Sequence, residues 1–131
     1  MTLLTKNDIL QAQDIKTETV DVPEWGGQVI VRALDGAERD MLEASMIEGK
    51  GKNTRVNLQN LRAKLVARSL VDENGKRLFE DGDIQALAHK SASALNRVYE
   101  VAQQLSGITQ EDVEELTKNS SPAQSVDSGS I

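Results

Sequence analysis

Leu58, Leu61, Leu65 and Val66 stand at i, i+3, i+7 and i+8, one face of a 3.6-residue helix. Neither Gly nor Pro interrupts Val56 to Leu70, and Ala63 and Ala67 favour helix, so the spacing predicts an amphipathic helix across this stretch. Such a helix must bury its stripe against something, which commits the chain to a layered fold with helices in it. Arg55, Arg62, Lys64 and Arg68 fall mostly off that stripe and predict a basic face. Immediately after it comes Val71-Asp72-Glu73-Asn74-Gly75-Lys76-Arg77-Leu78-Phe79. Asn-Gly tolerates positive φ at both central turn positions, so the run predicts a hairpin with a type I′ turn.

The elements around this centre are small. Thr5-Lys6-Asn7-Asp8 has the form of a capping box and opens a short helix through Ile9, Leu10 and Ala12. Lys16 to Val22 alternates, with Glu18, Val20 and Val22 on one side; Gln28 to Ala33 is a second strand. Pro23-Glu24-Trp25-Gly26-Gly27 between them is a turn, which makes the two runs an antiparallel hairpin. Asp35, with Glu38 three residues on, caps a helix whose stripe includes Ala37, Met41, Leu42, Ala44 and Met46. Glu48 to Thr54, rich in Gly and Lys, reads as a flexible linker; it lacks the spacing of a phosphate-binding loop. Asp81 or Asp83 caps a short helix at Ile84, and Ser91 opens the longest one, where Leu95, Val98, Ala102 and Leu105 recur at three and four. Gly107 ends it. Thr109 caps a last short helix, with Val113 and Leu116 as its apolar points.

The expected class is α+β and mainly α: small β-hairpins packed with four to five helices. Residues 1–118 form one domain in this reading, followed by a disordered polar tail at 119–131, where Asn119 to Ile131 offers too little to bury. A length of 131 residues suits one modest core. Trp25, Phe79 and Tyr99 are the aromatic residues, so aliphatic side chains must fill that core.

Charge is divided along the chain. Six of the 15 basic residues and none of the 21 acidic ones lie between Gly49 and Val71, so the formal −6 separates into +6 there and −12 elsewhere. The basic stretch suits an acidic partner or a second copy of the chain, since Glu111, Glu114 and Glu115 offer matching acids. Nucleic acid is disfavoured by the overall acidity and by the absence of aromatic stacking groups in the segment. Trp25, in a turn between strands, either covers the core or serves as a contact for a partner. The candidate partner-binding residues are therefore Trp25, Arg55, Arg62, Lys64, Arg68, Glu111, Glu114 and Glu115.

Reactive chemistry is missing. There is no Cys, and so no disulfide or thiolate metal site. A calcium loop from Asp72 fails because Arg77 stands where Gly is needed and Asp83 where Glu is needed. His89, with Ser91 and Ser93 two and four residues on, does not make an oriented nucleophile and base. No catalytic residue, metal or cofactor is expected, and no apolar run approaches the ~20 residues of a membrane span. The reading is a soluble intracellular protein that binds other proteins.

The order of elements carries a resemblance. A short lead helix precedes a strand pair ending in GGQVIVRAL; a helix opens at DGAERD; a basic helix closes on LVARSLVDENGKRLF; EDGDIQALAHKSASALNRVYEVAQQLSG and a polar tail follow. From Val20 to Gly107 this resembles the tail assembly chaperones of long-tailed bacteriophages and related prophages. The resemblance implies a small, α-rich, non-enzymatic protein of the bacterial host cytoplasm, absent from the mature virion. It implies binding to the phage tape measure protein, recruitment of the major tail tube protein, self-association into a homo-oligomer, and often a longer form made by frameshifting. A structural head–tail connector or minor virion protein is the competing expectation. The family supplies no catalytic or binding residues that transfer by motif.

Overall fold

A computed structural model describes residues 2–109, 111–112 and 114–115. The expected boundary near residue 118, the tail at 119–131, and the apolar points Val113 and Leu116 lie outside them.

The chain opens with α1 (Lys6–Gln11), whose capping box between Thr5 and Asp8 forms as the sequence predicts. β1 (Thr17–Val22) and β2 (Gly27–Arg32) follow, joined by a 3-10 turn at Pro23–Trp25. They pair antiparallel in the register Thr17↔Arg32 to Val22↔Gly27. Val20 and Val22 face the core, as the alternation requires. α2 (Gly36–Ser45) starts on the Asp35–Glu38 capping box. Its stripe is narrower than expected: Leu42 is buried and Met46 is buried at its end, but Met41 is 55% exposed.

The Gly/Lys stretch is a built element instead of a linker. β3 (Ile47–Glu48) pairs with β4 (Arg55–Val56) across it, Ile47 opposite Val56. Gly49 sits at φ +88°, and a Cβ there would run into the Asn53 carbonyl. Only glycine closes this turn without displacing backbone.

α3 (Leu61–Ser69) begins later than the spacing predicts. Val56 is taken by β4, and Asn57 to Asn60 form a turn in which Asn57 accepts from the Gln59 amide and Asn60 adopts φ +61°. Leu58, expected on the stripe, is therefore an exposed turn residue. Within the helix, Ala63, Leu65, Val66 and Ala67 are buried. So is Arg68, at 5% exposure, which corrects the expectation that it lies off the apolar face. Packing on both sides of α3 widens its buried face beyond one stripe.

β5 (Leu70–Val71) joins β2, giving a three-stranded sheet in the order β1-β2-β5. The following turn differs from type I′: of its two central residues, Gly75 is at positive φ and Asn74 is not. The Gly75 amide donates to the Asp72 carbonyl, and the Asp72 amide to that of Lys76. This is a type I turn closed by a left-handed glycine, the usual three-residue hairpin loop. The Asp72 carboxylate accepts from the Asn74 and Lys76 amides, and that competition selects the turn.

α4 (Ile84–Ala88) and α5 (Ala92–Ser106) follow. Asp83 does not cap α4 with its side chain; it closes a capping box with Glu80 on the preceding 3-10 turn. Ser91 caps α5 and Gly107 ends it at φ +69°. Ala94, Leu95, Val98, Tyr99 and Ala102 of α5 pack with α3, the sheet and Leu87 of α4 in one core, with Leu105 half-buried at its edge. The class is α+β and mainly helical, with five α-helices and two small antiparallel sheets among the described residues.

Candidate partner-binding surfaces

The basic residues of the central stretch are drawn into the chain's own structure to different degrees. Arg55 is open, with its side chain 74% exposed and 3.5 Å from Glu48 across the β3–β4 ribbon. Lys64 donates from Nζ to the Ser45 carbonyl at 3.1 Å, on the last turn of α2. Arg62 donates from Nε to Asn96 Oδ1 at 3.1 Å, and its guanidinium lies 5.3 Å from the centre of the Tyr99 ring. That stacking fixes its direction. Arg68 is buried and 3.6 Å from Asp81, which also pairs with Arg77 at 3.3 Å. Its role is internal: it ties α3 to the turn before α4.

Glu111, Glu114 and Glu115 are exposed and helical. The acid in this segment that reaches a base is Asp112, 3.7 Å from Arg39 on α2. Its carboxylate accepts from the Thr109 amide, and this capping bond holds its pKa below the usual range. The sequence reading set these acids against Arg62, Lys64 and Arg68 of a second copy; within the single chain no such pair forms among the described residues. Glu115 lines instead a cleft of about 210 Å³, floored by Leu42, Met46, Leu65 and Tyr99.

Trp25 is half-buried and packs on the core, beside Phe79 and Leu87. Its neighbour Glu24 explains why this turn is held in place. Arg97 of α5 donates to both Glu24 oxygens, at 2.6 and 2.9 Å. This fork-to-fork bond keeps the Glu24 carboxyl down at about 2. The hairpin tip is thus clamped to the middle of α5.

A second cleft, of about 380 Å³, opens where α3, α4 and α5 meet. Ala63, Ala88, Ala92 and Leu95 line it, with Arg62 and Lys90 at its rim. His89 ends α4 nearby as an exposed C-cap. Clefts of this size and polarity hold a few side chains of a partner.

The surface feature missed from the sequence is the N-terminal arm. Leu3, Leu4, Ile9 and Leu10 are 94, 67, 58 and 69% exposed. Their signal was present: Leu4 precedes the Thr5 cap and Ile9 is the fourth helical residue, the positions of a hydrophobic staple.

Residues 5–119 match the family model described as phage tail assembly chaperone. This chain belongs to the phage tail assembly chaperone family. The family's role is non-enzymatic, as the resemblance implied. The solved structure of the bacteriophage HK97 tail assembly chaperone is similar, with a TM-score of 0.54 and 17% identity. The likeness covers 76% of this chain and 94% of that one. At that identity it shows a shared fold and no more. No curated protein matches the sequence significantly. No helix among the described residues of the chaperone is long and apolar enough to cross a membrane.

Proposed function

We propose that the chain binds the tape measure protein during tail assembly, keeps its apolar helical surface from aggregating, and helps recruit the major tail tube protein. It acts in the bacterial host cytoplasm, as a homo-oligomer, and leaves before the virion is complete. The observation that carries this reading is the family match across residues 5–119. The exposed aliphatic arm and the two clefts give it physical means, because transient cover of apolar surface needs accessible apolar surface.

Trp25, Arg55, Arg62, Lys64, Glu111, Glu114 and Glu115 remain the proposed contact residues, with Arg68 supporting α3 from within. Exposed ion pairs contribute only ~0–1 kcal/mol each, so apolar contacts supply most of the affinity. Co-expression with the tape measure gene of the same genome tests the proposal: the tape measure protein becomes soluble with this chain present. Equal solubility with and without it defeats the reading. Stoichiometric recovery of the chain in purified particles would replace it with the connector reading.

A further inference from the structure

The three-stranded sheet runs β1-β2-β5, and its two outer strands differ. Beside β5, the Leu78 amide donates to the Leu70 carbonyl and the Asp72 amide to that of Lys76, so residues 76–78 cover that edge. Among the described residues no segment runs along the outer side of β1.

The register fixes which groups are left there. The Ala33 amide donates to the Lys16 carbonyl, so the bonded pairs of the ladder fall at Glu18–Val31, Val20–Val29 and Val22–Gly27. Thr17, Thr19 and Asp21 therefore turn their amides and carbonyls away from β2. No backbone group among the described residues bonds to them. A regular edge of this kind is a template for another strand. β1 also lacks the usual guards: its six residues pair without a bulge, and neither Pro nor Lys lies between Thr17 and Val22. The arm does not supply the missing strand. Its capping box holds Lys6–Gln11 helical, and what remains, Ala12 to Lys16, is too short to turn and run back along β1.

The side chains of β1 define what fits beside it. Val20 and Val22 point to the core, with Glu18 exposed on the same face; Thr17, Thr19 and Asp21 are exposed on the other. Thr17 to Val22 holds two acids and no base. Neither Glu18 nor Asp21 has an ion-pair partner among the described residues. Opposite charges facing each other across two strands stabilise the pairing, and so do aliphatic neighbours.

We propose that β1 takes an added strand: an extended segment of a partner protein, aliphatic on the Val20 and Val22 side, with Lys or Arg opposite Glu18 and Asp21. Main-chain bonds to Thr17, Thr19 and Asp21 hold it, and the alternate side chains select it. This mode of capture is separate from the cover of helical surface, because it reads main chain in an extended state. It rests on the proposed function only for the source of the probe.

The test follows amide hydrogen exchange in the full chain by NMR, with overlapping peptides from the tape measure and tail tube proteins of the same genome as probes. In the free chain the amides of Thr17, Thr19 and Asp21 exchange fast, and those of Glu18, Val20 and Val22 slowly. A peptide that alternates aliphatic and basic residues slows the outward amides. Thr19→Pro removes one outward amide, leaves the β1–β2 ladder bonded, and weakens that peptide about tenfold or more. Thr19→Val keeps the amide and binds as the parent does. Glu18→Lys breaks no backbone bond and also weakens the peptide, so it carries the test if T19P melts low. Outward amides that are already slow in the free chain overturn the inference, because the edge is then covered without a partner. Peptides that bind only elsewhere overturn it, and so does the absence of any that binds. Solubility of the tape measure protein on co-expression is scored separately, so the proposed function stands or falls by its own result.

Discussion

α1 and α5 are both capped amphipathic helices, and they end in opposite circumstances. α5 buries Ala94, Leu95, Val98, Tyr99 and Ala102, while α1 buries nothing. Both carry clean start signals: Ser91 accepts from the Ala94 amide, and Thr5 and Asp8 exchange bonds. A cap thus fixes where a helix begins and says nothing about what covers it. Coverage depends on what the topology brings alongside. The hairpin and α3 lie against α5, whereas the arm leaves from β1, an edge strand of the sheet.

That contrast is open to direct attack. The largest effect belongs to the covered region. Leu65 on α3, 1% exposed, packs in the core, and Leu65→Ala should destabilise the fold by about 2–5 kcal/mol through lost burial and a residual cavity. Chemical unfolding measures it; a loss under about 1 kcal/mol would mean the core collapses around the gap.

A smaller effect comes from a cap on a covered helix. Asp35→Ala removes the acceptor for the Glu38 amide at 2.8 Å and should lower stability by about 1 kcal/mol. Thermal melts of the two proteins side by side give the difference.

The Glu24–Arg97 clamp is smaller again and depends on pH. The carboxyl titrates at about 2 when folded against 4.5 ordinarily, chiefly because Arg97 hydrogen-bonds its charged form. A lowered folded value places the contribution above about pH 4.5 and removes it progressively as the pH falls toward 2. The melting temperatures of the parent and of Glu24→Gln should therefore differ at neutral pH and converge across this window. Parallel curves would show that the clamp adds nothing to stability.

The smallest effect is expected in the arm. Leu10→Ser, at 69% exposure, should leave the stability of the dilute single chain within about 0.5 kcal/mol of the parent. A larger loss would mean the arm packs on its own body, and the contrast with α5 would disappear.

Much of the local structure was legible in the residues. The capping boxes at Thr5 and Asp35, the β1–β2 hairpin around Pro23 to Gly27, the seam of α5 and its stop at Gly107 all follow from short-range rules, and all are present. The β3–β4 ribbon was less legible, because two-residue strands carry no period; Ile47 and Val56 flanking a glycine turn were its faint mark. The candidate contact residues were legible as charges but not as surfaces.

By itself, then, the sequence determined where α1, α2 and α5 start and where α5 stops, and it pointed to a family whose role is non-enzymatic. Those starts and stops depend on neighbours a few residues apart, whose energies hold in any context. Tertiary structure alone decided that Arg68 would be buried against Asp81, that β5 would join β2, that Arg62 would stack on Tyr99, and that the arm's leucines would stand in water. Each of those depends on groups distant in sequence meeting in space, and only a folded core fixes which ones meet.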